Sequence, residues 1–183
     1  MKHLVAAFAL LALGACKEDL VAKPQPVELT AEAVGYYCQM ELLEHAGPKG
    51  QVHLDGMPAP VFFSQVRDAI AYLHMPEQSH VVRATYVQDM SGATWDTPGE
   101  WIAAEDAVYV LGSGLKGGMG APEIVPFSDH ASARAFARLH GGEVRSFDKI
   151  GFTDVQTSAG PEPEGEDDVA SRLSALRSGR GTN

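Results

Sequence analysis

Short runs of β-branched and aromatic residues alternate along this chain with two alanine-rich stretches of helical character. Val34–Tyr37, Gln51–Leu54 and Val81–Val87 read as strands, and Ala107–Leu111, Glu123–Val125 and Glu143–Phe147 read as a second set. Within each set one helix is predicted. Pro60-Val-Phe-Phe-Ser64 leads into Ala69–His74, and Val125-Pro-Phe-Ser128 leads into Ala133–Ala137. The serine suits a helix N-cap in both places, and Gly141-Gly142 ends the second helix. At an offset of 64 residues, Phe63, Ser64, Ala69, Ala71 and Tyr72 fall on Phe127, Ser128, Ala133, Ala135 and Phe136. The pattern predicts an α+β fold of two similar lobes, each strand-strand-helix-strand, over residues 30–92 and 93–152.

The two ends differ from this middle. Lys2 and His3 precede an uncharged apolar stretch, Leu4–Leu13, which is followed by Gly14, Ala15 and Cys16. Such a stretch is shorter than the roughly 20 residues needed to cross a bilayer. Small residues before the cut mark a secretory signal, and Leu13-Gly-Ala-Cys16 has the form of a bacterial lipobox. Residues 1–15 are therefore read as a lipoprotein signal peptide and Cys16 as the acylated first residue of an exported, membrane-anchored protein. Residues 16–29, with Pro24 and Pro26, read as a tether. Residues 153–183 contain the acidic, breaker-rich run Gly160–Asp168 and read as a disordered tail. The chain holds 14 basic and 24 acidic side chains, a formal net charge of −10, which argues against a nucleic-acid partner and is compatible with carrying a cation.

The cysteine count changes the picture most. There are two, and lipid attachment uses Cys16, so Cys38 has no partner within the chain. In an oxidising compartment a lone thiol is either buried and inert or put to use. Cys38 lies in Tyr36-Tyr37-Cys38-Gln39-Met40. If this segment is extended, Cys38 and Met40 share a face. Thiolate plus thioether is a soft donor set, which selects Cu(I), whereas a structural zinc site wants four nitrogen or sulfur ligands. The bland alternative is a core Cys and a core Met. Met119, in the glycine-rich Gly117-Gly-Met-Gly120, is a candidate third ligand from the other lobe, or else a plug between lobes. Met57 is a weaker candidate of the same kind. His45, His53, His74, His80, His130 and His140 are scattered and read as surface or cap residues, with His45 or His53 the ones that would approach a metal. Trp95, Trp101 and Tyr109 read as core or interlobe packing. No Ser-His-Asp arrangement, Gly-x-Ser-x-Gly, phosphate-binding loop or base near Cys38 is legible, which argues against an enzyme.

These residues together resemble the NosL family of copper-binding lipoproteins. The likeness rests on Cys16, on Cys38-Gln39-Met40, on Asp89 and on Tyr109-Val-Leu-Gly-Ser113. It continues through Gly118-Met119-Gly120, Val125-Pro-Phe-Ser128 and Gly141-Gly142, and covers about Tyr37 to Phe152. The resemblance implies a two-lobe fold, distantly similar to a domain of alkylmercury lyases. It also implies a periplasmic Cu(I) chaperone that delivers copper for the copper-sulfide centre of nitrous oxide reductase, working with an ABC-type maturation complex in the membrane. The family's ligands carry over onto Cys38 and Met40, and onto Met119 by its place in the loop. The rival readings are a docking lipoprotein of the same pathway with a structural Cys38, and a thiol-dependent lyase, which would want a second thiol.

Overall fold

A computed structural model describes residues 22–156. The expected signal peptide (1–15), Cys16 and the acidic run after residue 156 lie outside the described residues.

The elements fall into two units of one topology. In the first, strand β1 (Gly50–Leu54) is followed by β2 (Val61–Phe63), helix α1 (Val66–Leu73) and β3 (Val82–Gln88). In the second, the sequence is β5 (Val108–Leu111), β6 (Val125–Phe127), α2 (His130–His140) and β7 (Glu143–Ser146). Each sheet is antiparallel with its first strand in the interior, in the orders β2-β1-β3-β4, where β4 is Trp101–Ala103, and β6-β5-β7. The central pairings match: Gly50 lies opposite Phe63 and Val52 opposite Val61, as Val108 lies opposite Phe127 and Val110 opposite Val125. The two-unit α+β architecture read from the sequence is thus the one observed. Strand β4 (Trp101–Ala103) pairs with β3, so it belongs to the first sheet although it follows residue 93.

Burial explains how the units hold together. Val52, Leu54, Phe63, Ala69 and Tyr72 form a core inside the first unit. Val108, Val110, Val125, Phe127 and Ala133 form one inside the second, joined by Met90, with half-buried Trp95 against it. A third cluster belongs to both, with Val66, Ile70 and Val87 meeting Tyr109, Leu111, Ile124, Ile150 and Val155. Fully burying one such side chain contributes roughly 1.5–3 kcal/mol, so the shared cluster makes the units one cooperative body.

Four boundaries differ from the sequence reading. The N-caps are Gln65 and Asp129, each one residue after the expected serine. Asp129 wins because its carboxylate reaches the N–H groups of Ala131 (2.8 Å) and Ser132 (2.9 Å), while the Ser128 N–H donates to Asp89 (2.8 Å). The strand expected at Glu123–Val125 is shifted to Val125–Phe127. The tether is not free along its whole length. Val27 exchanges two hydrogen bonds with the Gln51 amide, the Pro24 carbonyl accepts from the Tyr86 hydroxyl at 2.6 Å, and Lys23 pairs with Glu105. This happens because every residue of β1 is buried. Val52 and Leu54 face the core and Gln51 and His53 face the other way, where the docked segment supplies polar partners. Finally, the presumed tail begins as a helix, α3 (Phe152–Val155), with Val155 buried and its carbonyl gripped by the Arg67 guanidinium at 2.8 and 3.1 Å.

Candidate metal centre

The segment Val34–Tyr37 is not a strand, and Cys38 and Met40 do not share a strand face. The chain reverses between Val34 and Glu41, which bridge antiparallel. Inside the reversal the Gly35 N–H donates to the Met40 carbonyl (3.0 Å) and the Gln39 N–H to the Gly35 carbonyl (2.8 Å). Gln39 adopts φ 56°, a left-handed conformation that non-glycine residues seldom take. Its side-chain amide folds back to donate to the Tyr36 carbonyl at 2.7 Å and the Gly35 carbonyl at 3.3 Å, which offsets that strain. A five-residue apolar-polar string looked extended; local amide bonds and the Gln39 turn decided otherwise.

The loop is pinned to the body on both sides. Tyr36 N–H donates to the Phe62 carbonyl at 2.7 Å, and Leu42 just beyond the loop is completely buried. Tyr36 and Tyr37 pack against Phe63, and Tyr36 also meets Tyr72, with ring centroids 5.4 to 5.8 Å apart. Cys38 is half-buried, and it is the free cysteine of the described residues. Its Sγ sits so close over Gly35 that a Cβ there would lie 2.5 Å from it, with the Ser64 N–H beside the same glycine. Only glycine at 35 leaves room for the thiol. The Met40 carbonyl lies 4.0 Å from Sγ, and the Met40 side chain is exposed. A thiol and a thioether are therefore presented from one short, rigid loop, neither committed to the core.

Met119 comes from a second loop that the fold ties to the first unit. The Gly117 N–H donates to the Ala121 carbonyl (2.9 Å) and the Gly120 N–H to the Gly117 carbonyl (2.8 Å), so Met119 stands at a tight tip with its side chain exposed. Its N–H donates to Gln65 Oε1 at 2.7 Å, and the Gly118 carbonyl faces His45 Nδ1 at 3.1 Å. There is no space for side chains at this seam. A Cβ on Gly117 would come within 2.3 Å of Glu123 Oε2, and one on Gly118 within 2.6 Å of His45 Cβ. The corner Ser64-Gln65, between β2 and α1, is the common neighbour. It borders the Cys38 loop through Ser64 and holds the Met119 loop through Gln65.

Beneath this seam is a buried polar group that sequence reasoning missed. Glu123 is 1% exposed; one carboxyl oxygen accepts from the N–H groups of Arg67 (3.0 Å) and Ile124 (2.9 Å). Burial pushes its pKa up to about 8. Lys49, also buried, donates to the carbonyls of His45 and Gly47; burial pulls its pKa down to about 8, and the nearby Glu123 works in the other direction. Glu123 Oε2, Gln65 Nε2 and His45 Nε2 are buried without protein partners. Since a carbonyl can only accept, His45 Nδ1 donates to Gly118. The signal available in sequence was slight: an acid at the head of an otherwise apolar expected strand, Glu123–Val125.

Of the other candidates, Met57 lies exposed in the turn after β1. His53 is a buried residue, not a surface one; it bonds Gln51 at 2.9 Å, and burial lowers its pKa. His74 bonds the Ile150 carbonyl at 3.2 Å. Among the described residues, no group of three or more His, Cys, Asp or Glu is arranged to hold a metal ion. The exposed thioethers of Met40 and Met119 are the soft donors that these two loops present.

Fold and site define a two-unit α+β protein that displays a soft thiol-thioether pair beside a methionine-tipped loop. The sequence model of the NosL family matches residues 26–155. The copper-binding lipoprotein NosL of Achromobacter cycloclastes is 51% identical, over 96% of this chain and 95% of its own. That of Stutzerimonas stutzeri is 32% identical, over 90% and 85%. The crystal structure of the copper chaperone NosL from Shewanella denitrificans superposes with a TM-score of 0.67 at 33% identity, covering 70% of this chain and 97% of that one. The chain belongs to the NosL family.

Proposed function

We propose that this protein is a Cu(I) chaperone of the periplasm, held to a membrane by lipid on Cys16, that delivers copper for assembly of the copper-sulfide centre of nitrous oxide reductase. The observation that carries the proposal is the half-exposed Cys38 thiol, seated over Gly35 in the same loop as the exposed Met40. The names of the relatives, copper-binding lipoprotein and copper chaperone, support it. Soft sulfur donors prefer Cu(I), and two or three of them suffice. Cys38 supplies the charge and most of the binding free energy; Met40 adds a neutral thioether. Met119 is the third ligand, carried on a loop that its hydrogen bonds to Gln65 and His45 hold near the same corner. The metal is cargo, so no turnover is needed. A partly open site permits ligand exchange with nitrous oxide reductase or with the ABC-type membrane complex that matures it.

The test is anaerobic Cu(I) titration of the mature protein against a competing chelator. Cys38→Ser abolishes tight binding. Met40→Leu weakens it with the fold intact, because the swap conserves volume at a cost below about 1.5 kcal/mol. Wild-type affinity in Cys38→Ser would overturn the proposal.

A further inference from the structure

A cavity of about 370 Å³ opens beside the Cys38 loop and is lined by Tyr36, Tyr37, Met57, Tyr72, Met75 and His80, among others. Its donors come from two separate segments: Met57 from the turn after β1, and Met75 and His80 from the connection between α1 and β3. Met57 is 47% exposed and Met75 40%, so neither thioether is explained by core packing. The Tyr37 hydroxyl donates to Met75 Sδ at 3.0 Å, which orients that sulfur toward the residue preceding Cys38. Tyr36, Tyr37 and Tyr72 wall the space, with Tyr36 5.2 Å from Tyr37 and 5.4 Å from Tyr72.

Two thioethers and an imidazole are an uncharged, soft donor set, the Glu77 carboxylate on the same wall adds a negative charge, and electron-rich ring faces also favour a cation. Without a thiolate the set binds a monovalent soft ion more weakly than Cys38 does, and exchanges it faster. We propose that Met57, Met75 and His80 form a second, low-affinity site for Cu(I), also open to Ag(I), from which copper passes to Cys38. The transfer rests on the chaperone reading; the site does not. In the transfer, dative bonds from Met57, Met75 and His80 break as bonds from Cys38 and Met40 form. The Cys38 thiol releases its proton to water, and copper stays Cu(I) throughout.

The experiment uses the mature, lipid-bearing protein in detergent, with methionine methyl groups labelled for NMR. In the Cys38→Ser variant, chloride-free Ag(I) shifts the Met57 and Met75 methyls saturably with one equivalent, and the double change Met57→Leu, Met75→Leu lowers the affinity at least about tenfold. Leucine is a volume-conserving replacement at these exposed positions, so circular dichroism remains that of the parent. In the Cys38 parent, the double change leaves the affinity for the first equivalent of Cu(I) unchanged and slows its arrival at Cys38 severalfold in stopped flow. Methyl shifts confined to other methionines, or shifts that never saturate, overturn the second site. Unchanged loading kinetics overturn the relay. Neither result bears on copper binding at Cys38, which the first-equivalent affinity reports separately.

Discussion

The two units repeat one topology, yet they treat the same corner in opposite ways. Gln65 and Asp129 are equivalent: each is the N-cap of the helix that follows the second strand of its unit. Asp129 serves its own helix, accepting from Ala131 and Ser132. Gln65 makes no side-chain cap and gives its oxygen to Met119 of the other unit. The first turn of α1 is served from a distance, by Glu123 accepting from the Arg67 N–H at 3.0 Å. The helix cap of the second unit is local, while the first turn of α1 depends on the second unit. A residue that breaks a local rule, such as Gln at a cap, is where a fold has been adapted to hold two parts together. The helices differ accordingly. α1 buries Val66, Arg67, Ala69, Ile70 and Tyr72, whereas α2 buries Ala133 and leaves Leu139 exposed.

Breaking the distant cap has the largest consequence. Glu123→Ala strands two buried N–H groups and opens a cavity under the Met119 loop, so urea unfolding should show a loss of roughly 2–4 kcal/mol. If the loss matched that of an exposed substitution, the cap would be incidental.

Glu123→Gln tests the same residue through pH. The folded pKa of Glu123, about 8, lies above its ordinary value of 4.5. Between those values the folded state keeps a proton that the unfolded state has lost. The stabilisation from Glu123 is therefore full below about pH 4.5 and falls as pH rises to about 8. Asp89, Glu105, Asp129 and Asp154, whose pKa values are lowered, act oppositely and only at lower pH. Glu123→Gln keeps the accepting oxygen and should flatten the decline between pH 5 and 8. Parallel curves for the variant and the parent would refute the buried neutral acid.

Asp129→Ala removes the local cap. It should cost about 1 kcal/mol, as such caps typically do, and leave Cu(I) affinity alone, because nothing in the Cys38 or Met119 loops touches α2 through Asp129. A change in copper affinity would show that the units are coupled more widely than the Gln65 corner.

Gln65→Ala is the gentlest and most informative change. Losing one hydrogen bond to the Met119 N–H, worth about 0.5–1.5 kcal/mol, frees the loop. If Met119 is a ligand, Cu(I) affinity should fall roughly two- to tenfold, with far-UV circular dichroism unchanged. Equal affinity in Gln65→Ala and the parent would leave Cys38 and Met40 as the ligands.

The chain by itself announced the duplication, because Phe63-Ser64 and Phe127-Ser128 recur at matching distances from an alanine-rich helix. It also singled out Cys38 by arithmetic, as the thiol left over once Cys16 is set aside. Those features are local or compositional, and need no knowledge of what lies opposite. The shape of the Cys38 loop was not legible, because an extended run of five residues cannot be told from a turn that a single left-handed Gln39 creates. Nor was the docking of Pro24 and Val27, since their partners, Gln51 on β1 and Tyr86 on β3, are brought side by side only by the pairing of those strands. The seam of Gln65, His45, Glu123 and Lys49 was decided wholly by tertiary structure. Residues up to 78 positions apart, from His45 to Glu123, became neighbours there. Their pairing depends on burial, which raises the cost of an unmatched charge and the strength of a matched hydrogen bond, and burial is a property of the assembled fold.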